Sequence, residues 1–216
     1  KGAIKELQSI LDAFPNDIEV MEILSEVYLL NDEKEKAFDL FKKIAILAPE
    51  NGRIHLTLAD YYRQKGEEET SYNELRLAFK SAKLNIDTKV RILASYLQLI
   101  AINPKMSSQA NELAELMLEV HPKETKAIAV YADILYINNE FEKAKQQYLL
   151  VLEKDKVKSQ VWSQILFIQA EQSDFSGMLE ISTEALEYFP ADPLFYYFNG
   201  VSNKWLKNYD KAISSL

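Results

Sequence analysis

TKAIAVYADILYINNEFEKAKQQYLLVLEKDK, residues Thr125 to Lys156, reads as two amphipathic helices joined by a short polar turn. Apolar residues recur at three- and four-residue intervals from Ala127 to Tyr136 and again from Ala144 to Leu152, which places them on one face of an α-helix. Between the two runs Ile137, Asn138, Asn139 and Glu140 lean polar and mark the turn.

The same unit recurs outward in both directions. Pro15 in FPND, Pro49 in APEN, Pro122 in HPKE and Pro190 in FPAD each follow an amphipathic stretch. Pro15 and Pro49 are 34 residues apart, and Pro122 and Pro190 are 68 apart with Lys156 of EKDK at the midpoint. The step from Pro49 to Pro122 is 73, two periods plus five, so the register slips once and recovers. The alanines Ala37, Ala144 and Ala212 of the EKA and DKA triplets stand 107 and 68 apart and show the same slip, and Ala3 lies 34 before Ala37. Internal repetition at this period signals a stacked helical array. Helix starts are expected where a capping side chain precedes a glutamate by three residues: Asn16 with Glu19, Asp32 with Glu35, and Asn139 with Glu142.

These residues resemble the tetratricopeptide repeat, whose pattern is W-x2-L-G-x2-Y, then A-x3-F, then P, over about 34 residues. The unit beginning at Thr125 has Ile128 in the Trp slot, Tyr131 and Ala132 in the Leu-Gly slots, Leu135 in the Tyr slot, then Ala144 and Tyr148. The unit from Ile18 offers Leu24, Ser25, Tyr28, Ala37, Phe41 and Pro49, and the next offers Leu58, Ala59, Tyr62, Leu75 and Ala78. Trp162 occupies the Trp slot of the unit from Ser159. Small residues such as Ala59, Ala132 and Gly200 let paired helices approach, and large ones fill the gaps opposite. Ser71 stands in place of an alanine, Met178 and Ser182 depart from the pattern, and Asn199 and Asn203 put amides where Leu and Tyr are usual.

The resemblance implies an all-α solenoid, an α/α superhelix of about six helix-turn-helix repeats. Its expected parts are 1–17 as the second helix of a truncated repeat, then repeats over 18–51, 52–86, 87–124, 125–158 and 159–192, and a truncated repeat over 193–216. The slip is placed as an inserted turn near 101–108, with Asn103 and Pro104 breaking one helix and Ser107 or Ser108 capping the next. Lys1 and Leu216 both fall within a repeat, so the chain is expected to be a segment of a longer protein.

Composition narrows the function classes. The 216 residues are 48% hydrophobic and 27% charged, as in globular proteins. The longest apolar run is six residues, Ala127 to Ala132, far below a membrane span. The absence of cysteine removes disulfides, thiolate chemistry and cysteine-ligated zinc. Asp and Glu number 33 against 25 Lys and Arg, a formal charge of -8 that opposes nucleic-acid binding.

Catalytic and metal motifs are not visible, and no cofactor is called for. His55 falls in the Trp slot of its repeat and His121 precedes a turn proline, so both read as structural. Glu67, Glu68 and Glu69 lie in a turn without the spacing of a calcium loop.

The resemblance further implies a concave groove lined by the first helix of each repeat, with non-consensus residues making contacts to a protein or peptide. By register the candidates are Glu22, Glu26, Arg53, Asp60, Arg63, Arg91, Ser95, Lys126, Asp133, Tyr136, Phe167 and Tyr197. The early part of this face is charged; the late part is aromatic and includes Trp205, of a residue type enriched at interface hot spots. The same aromatics could instead cover a neighbouring repeat. A co-chaperone clamp for a C-terminal carboxylate would need Lys and Asn where this chain has Glu22 with Glu26, Leu56 with Asp60, and Arg91 with Ser95. The expected role is a non-enzymatic scaffold; the alternative is the regulatory or substrate-recruiting arm of a larger enzyme whose catalytic domain lies outside this segment.

Overall fold

The computed structural model describes residues 2–100, 102–103 and 105–215. Among them every regular element is an α-helix: α1 (Gly2–Ala13), α2 (Ile18–Leu30), α3 (Lys34–Leu47), α4 (Gly52–Gln64), α5 (Glu68–Lys80), α6 (Ile86–Ile100), α7 (Lys105–Val120), α8 (Thr125–Ile137), α9 (Phe141–Lys154), α10 (Ser159–Glu171), α11 (Phe175–Tyr188), α12 (Pro193–Trp205) and α13 (Tyr209–Ser215). The architecture is the expected all-α helix-turn-helix array. Its first helices α2, α4, α6, α8, α10 and α12 begin 34 residues apart, except for one step of 39 between α6 and α8.

Five of the turns within a helix pair share one construction. A single left-handed residue stands midway between the helices: Asp32 (φ 61°), Gly66 (77°), Asn139 (60°), Ser173 (55°) and Lys207 (65°). Its N–H bonds the carbonyl three residues back, and the following N–H reaches five back, as in Glu33 to Tyr28 (2.9 Å), Glu140 to Leu135 (2.9 Å) and Asn208 to Asn203 (2.8 Å). This is the Schellman closure of a helix C-terminus. Asp32 and Asn139 are therefore not N-caps but the left-handed stops of the preceding helix, a conformation that Asp and Asn tolerate. The N-cap positions Glu33 and Glu140 make no side-chain capping bond. At α2 the cap is Asp17 rather than Asn16, accepting from Val20 N at 3.1 Å.

The connection after α6 also differs from expectation. Ser107 and Ser108 lie inside α7, and Asn103 Oδ1 accepts from Lys105 N at 3.2 Å. Four of the five extra residues lengthen the helices, α6 to 15 residues and α7 to 16 against 13 and 14 in α8 and α9. Ala101 and Pro104 lie outside the described residues, as do Lys1 and Leu216.

The chain divides into two compact units. One runs to Ile92 and includes Glu119–His121. Its core gathers Met21, Leu24, Tyr28, Ala37, Phe41, Ile44 and Leu58 from α2, α3 and α4, with the Phe38 and Tyr61 rings stacked at 3.6 Å. Each fully buried Leu or Ile there contributes about 2 kcal/mol. The other unit holds Leu93–Leu118 and the residues from Pro122 on, with a core of Ile128, Ala132, Leu135, Tyr148, Trp162, Ile165 and Phe195. Of the repeat slots read from the sequence, Leu24, Tyr28, Ala37, Phe41, Leu58, Ile128, Ala132, Leu135, Ala144, Tyr148 and Trp162 fall in these cores, Tyr62 and Tyr131 pack partly buried against them, and Leu75 is half-buried. Ala37, Ala132 and Ala144 are fully buried, and Trp162 donates its indole N–H to Lys156 O at 2.8 Å.

Candidate functional site

Residues on the first helices that do not enter the cores form the candidate contact faces, one in each unit. In the first unit Glu26, Arg53, Asp60, Arg63 and Arg91 are exposed, and Glu22 is half-buried. Several of these charges are already engaged. Asn51 donates to Glu22 Oε1 at 3.2 Å, Arg63 pairs with Asp60 three residues before it, and Gln64 donates to the other Asp60 oxygen at 2.6 Å. Arg91 donates to Thr88 Oγ1 at 3.3 Å. Arg63 and Asp60 thus offset each other, while Glu26, Arg53 and Arg91 keep charge of both signs at the surface.

The second unit holds Ser95, Lys126, Asp133, Tyr136, Phe167 and Tyr197. Ser95 and Lys126 are exposed, and Asp133 is half-buried beneath the surface. Tyr148 donates its hydroxyl to Asp133 Oδ1 at 2.6 Å, linking α9 back to α8. Burial raises the Asp133 carboxyl above the usual range, and the Tyr148 hydrogen bond opposes that shift. Asp133 thus serves the interior of its helix pair. Tyr136 is also half-buried, with its ring 5.6 Å from that of Phe141.

Phe167 and Tyr197 stand apart from these. Phe167 on α10 is 40% exposed and Tyr197 on α12 is 53% exposed. Both rings pack by an edge on the same buried ring, Phe198, at 5.5 Å. The geometry yields two outward aromatic faces held by one rigid support, which limits the side-chain entropy lost on binding. Tyr196, also 40% exposed, donates its hydroxyl to Pro190 O at 3.2 Å. Tyr196 was not among the residues expected from the sequence, although its place outside the repeat slots is the signal that could have found it. Trp205 is 61% exposed and stacks on Phe175 at 5.0 Å.

Among the described residues no cluster of three or more His, Asp or Glu is arranged to hold a metal ion, and no helix is long and apolar enough to cross a membrane. His55, at 3% exposure, and the half-buried His121 sit in packing positions of the first unit.

Neither a protein-family model nor a curated protein sequence matches the chain. Solved structures do resemble it. YrrB, described as a TPR protein with an unusual peptide-binding site, is 12% identical over 97% of this chain and 88% of that one, at a TM-score of 0.47. MamA AMB-1 is 13% identical over 76% of this chain and 87% of its own, at 0.56. The Naa15/Naa10 structure bound to HypK-THB is 15% identical, at a TM-score of 0.62; the match covers 98% of this chain and 32% of that one. At such identity the likeness is one of fold alone: an all-α array of 34-residue helix pairs, in which this chain is similar to the tetratricopeptide-like fold.

Proposed function

We propose that the chain is a non-enzymatic scaffold that binds a protein or peptide segment on the exposed faces of its first helices. The observation that carries this reading is the pair Phe167 and Tyr197, outward on α10 and α12 over a common buried support. Exposed aromatics on a rigid base are the residue type that anchors interfaces. Apolar anchoring falls to the second unit, while the charged first-unit face, with Glu26, Arg53, Asp60, Arg63 and Arg91, selects by charge. Lys126 and Ser95 supply polar contacts from other first helices of that unit. The Naa15/Naa10 structure is bound to HypK-THB, and engagement of a protein partner is the role carried over here by likeness of fold.

The test selects binding peptides from a displayed library against the whole chain, then measures their affinity for a Phe167→Ala, Tyr197→Ala variant of matched helicity. Loss of two hot-spot rings is expected to weaken binding by about 30-fold or more. Equal affinity for parent and variant would move binding off this face and defeat the reading.

A further inference from the structure

Lys89, in the first turn of α6, is fully buried. Its Nζ donates to the carbonyls of Phe79 and Ser81, each at 2.8 Å, and lies 3.2 Å from Nε2 of His121. These three partners match the three N–H bonds of an ammonium. Phe79 and Ser81 end α5, where the helix dipole favours a cation, and His121 directly follows α7. One buried charge therefore joins the end of α5, the start of α6 and the residue after α7, all within the first unit.

The arrangement dictates the state of the imidazole. An ammonium directing an N–H at Nε2 needs a lone pair there, so His121 is neutral with its proton on Nδ1. Burial pushes Lys89 down to about 8, which still leaves it charged at neutral pH. Protonating His121 would set two cations 3.2 Å apart with donors facing donors. The charged groups nearest in sequence to the joint are Lys80 and Lys83 at the end of α5, Asp87 and Arg91 on α6, Glu119 on α7, and Lys123 and Glu124 beyond it, all exposed; farther along, α5 carries exposed Glu68 and Glu69 with half-buried Glu74 and Arg76, and α7 carries exposed Lys105 and Glu115 with half-buried Glu112. Lys83 is paired with Glu50 at 3.1 Å. Solvent screens the exposed charges far more than it screens the Lys89 ammonium. His121 is half-buried, so protons reach it.

We propose that the Lys89–His121 contact is an acid-labile joint: closed while His121 is neutral, it holds the end of α5 and the residue after α7 to the start of α6, and it opens when His121 takes up a proton. The device is independent of partner binding and lies within one unit.

Hydrogen exchange of the whole chain tests it, with rates corrected for intrinsic chemistry and α10 as the internal reference. Between about pH 7.5 and about pH 5, residues 79–92 and 119–121 of the parent are expected to lose protection about tenfold relative to α10. His121→Gln, whose side-chain oxygen accepts from Nζ at either pH, should abolish that differential loss. So should Lys89→Met, which removes the second cation; should this variant not fold, His121→Gln alone decides. A parent whose joint and α10 respond equally to acid, or a His121→Gln variant with undiminished acid sensitivity, overturns the proposal.

Discussion

His55 Nδ1 lies 2.7 Å from Oε2 of Glu74, bridging α4 and α5, while its Nε2 lies 3.0 Å from the carbonyl of Pro49. Both ring nitrogens face oxygen acceptors, and satisfying both requires an N–H on each, hence an imidazolium. The hydrogen bond to Glu74 is the main cause that raises His55 above its ordinary value, against the opposing effect of burial. The Trp position of the repeat pattern that this chain resembles thus holds an imidazole bonded on both nitrogens.

The sign of the pH dependence follows. With the folded pKa raised, the stabilisation is fully present below the unfolded value, about 6.5, and is lost as pH rises through the folded one. Glu74→Gln is expected to cost about 2 kcal/mol near pH 6 and clearly less near pH 8.5. Urea unfolding at the two pH values measures this; a loss independent of pH would mean that His55 is neutral. The proposed Lys89–His121 joint runs the other way, so the two histidines favour the fold from opposite sides of neutrality.

The left-handed turn residues predict substitutions of opposite sign at equivalent sites. Lys207, at φ 65°, holds a conformation that a β-carbon disfavours by about 1 kcal/mol, and Gly66, at 77°, holds it freely. Lys207→Gly should raise stability by roughly 0.5–1 kcal/mol, and Gly66→Ala should lower it by about 1 kcal/mol. Denaturation midpoints read both. Two changes of the same sign would dissociate the turns from backbone strain.

Gly52 opens α4 where a second constraint applies. A β-carbon there would stand 2.8 Å from Ser81 Cβ and 2.9 Å from Leu84 Cβ. Ser81 is held by donating its hydroxyl to Glu50 O at 2.6 Å, so it has little freedom to retreat. Gly52→Ala should therefore cost about 2–3 kcal/mol despite the better helix propensity of alanine. Ser81→Gly in the same background should recover part of it.

The helix pairs are legible in the sequence because close packing forces small and large residues into fixed slots, which is why spacing alone places Ala37, Ala132, Ala144 and Tyr148 in the core. Asp32 and Asn139 mislead because the same short polar side chains suit both an N-cap and a left-handed stop. Gly66, 34 residues after Asp32, is the clue that separates the two, since glycine is the residue for positive φ. Phe167 and Tyr197 are readable as aromatics outside the pattern. Tyr136 and Asp133 share that signal, yet Phe141 and Tyr148 from the next helix half-cover them, a contact no local pattern encodes. The polar contacts of His55 and Lys89 include Glu74, 19 residues from the first, and His121, 32 residues from the second, and lie beyond local reading for the same reason.

Asn199, in a slot where leucine is usual, tests whether a polar core position is loose or adapted. Its Nδ2 donates to Ser182 Oγ at 3.2 Å and Thr183 Oγ1 at 3.0 Å, and its Oδ1 accepts from Asn203 Nδ2 and Ser215 Oγ, each at 3.0 Å. The amide is saturated and links α11, α12 and α13. Each partner also holds a second bond: Ser182 and Thr183 to Leu179 O, Asn203 to Asn199 O, and Ser215 to Lys211 O. Removing the amide thus orphans none of them. Asn199→Leu, which keeps the volume filled, should change stability by less than about 1 kcal/mol, whereas Asn199→Ala, which leaves a cavity, should cost about 2 kcal/mol. Calorimetric unfolding of the two variants separates packing from hydrogen bonding: a leucine as costly as the alanine would show that the four bonds, and not the occupied volume, hold α13 to the array.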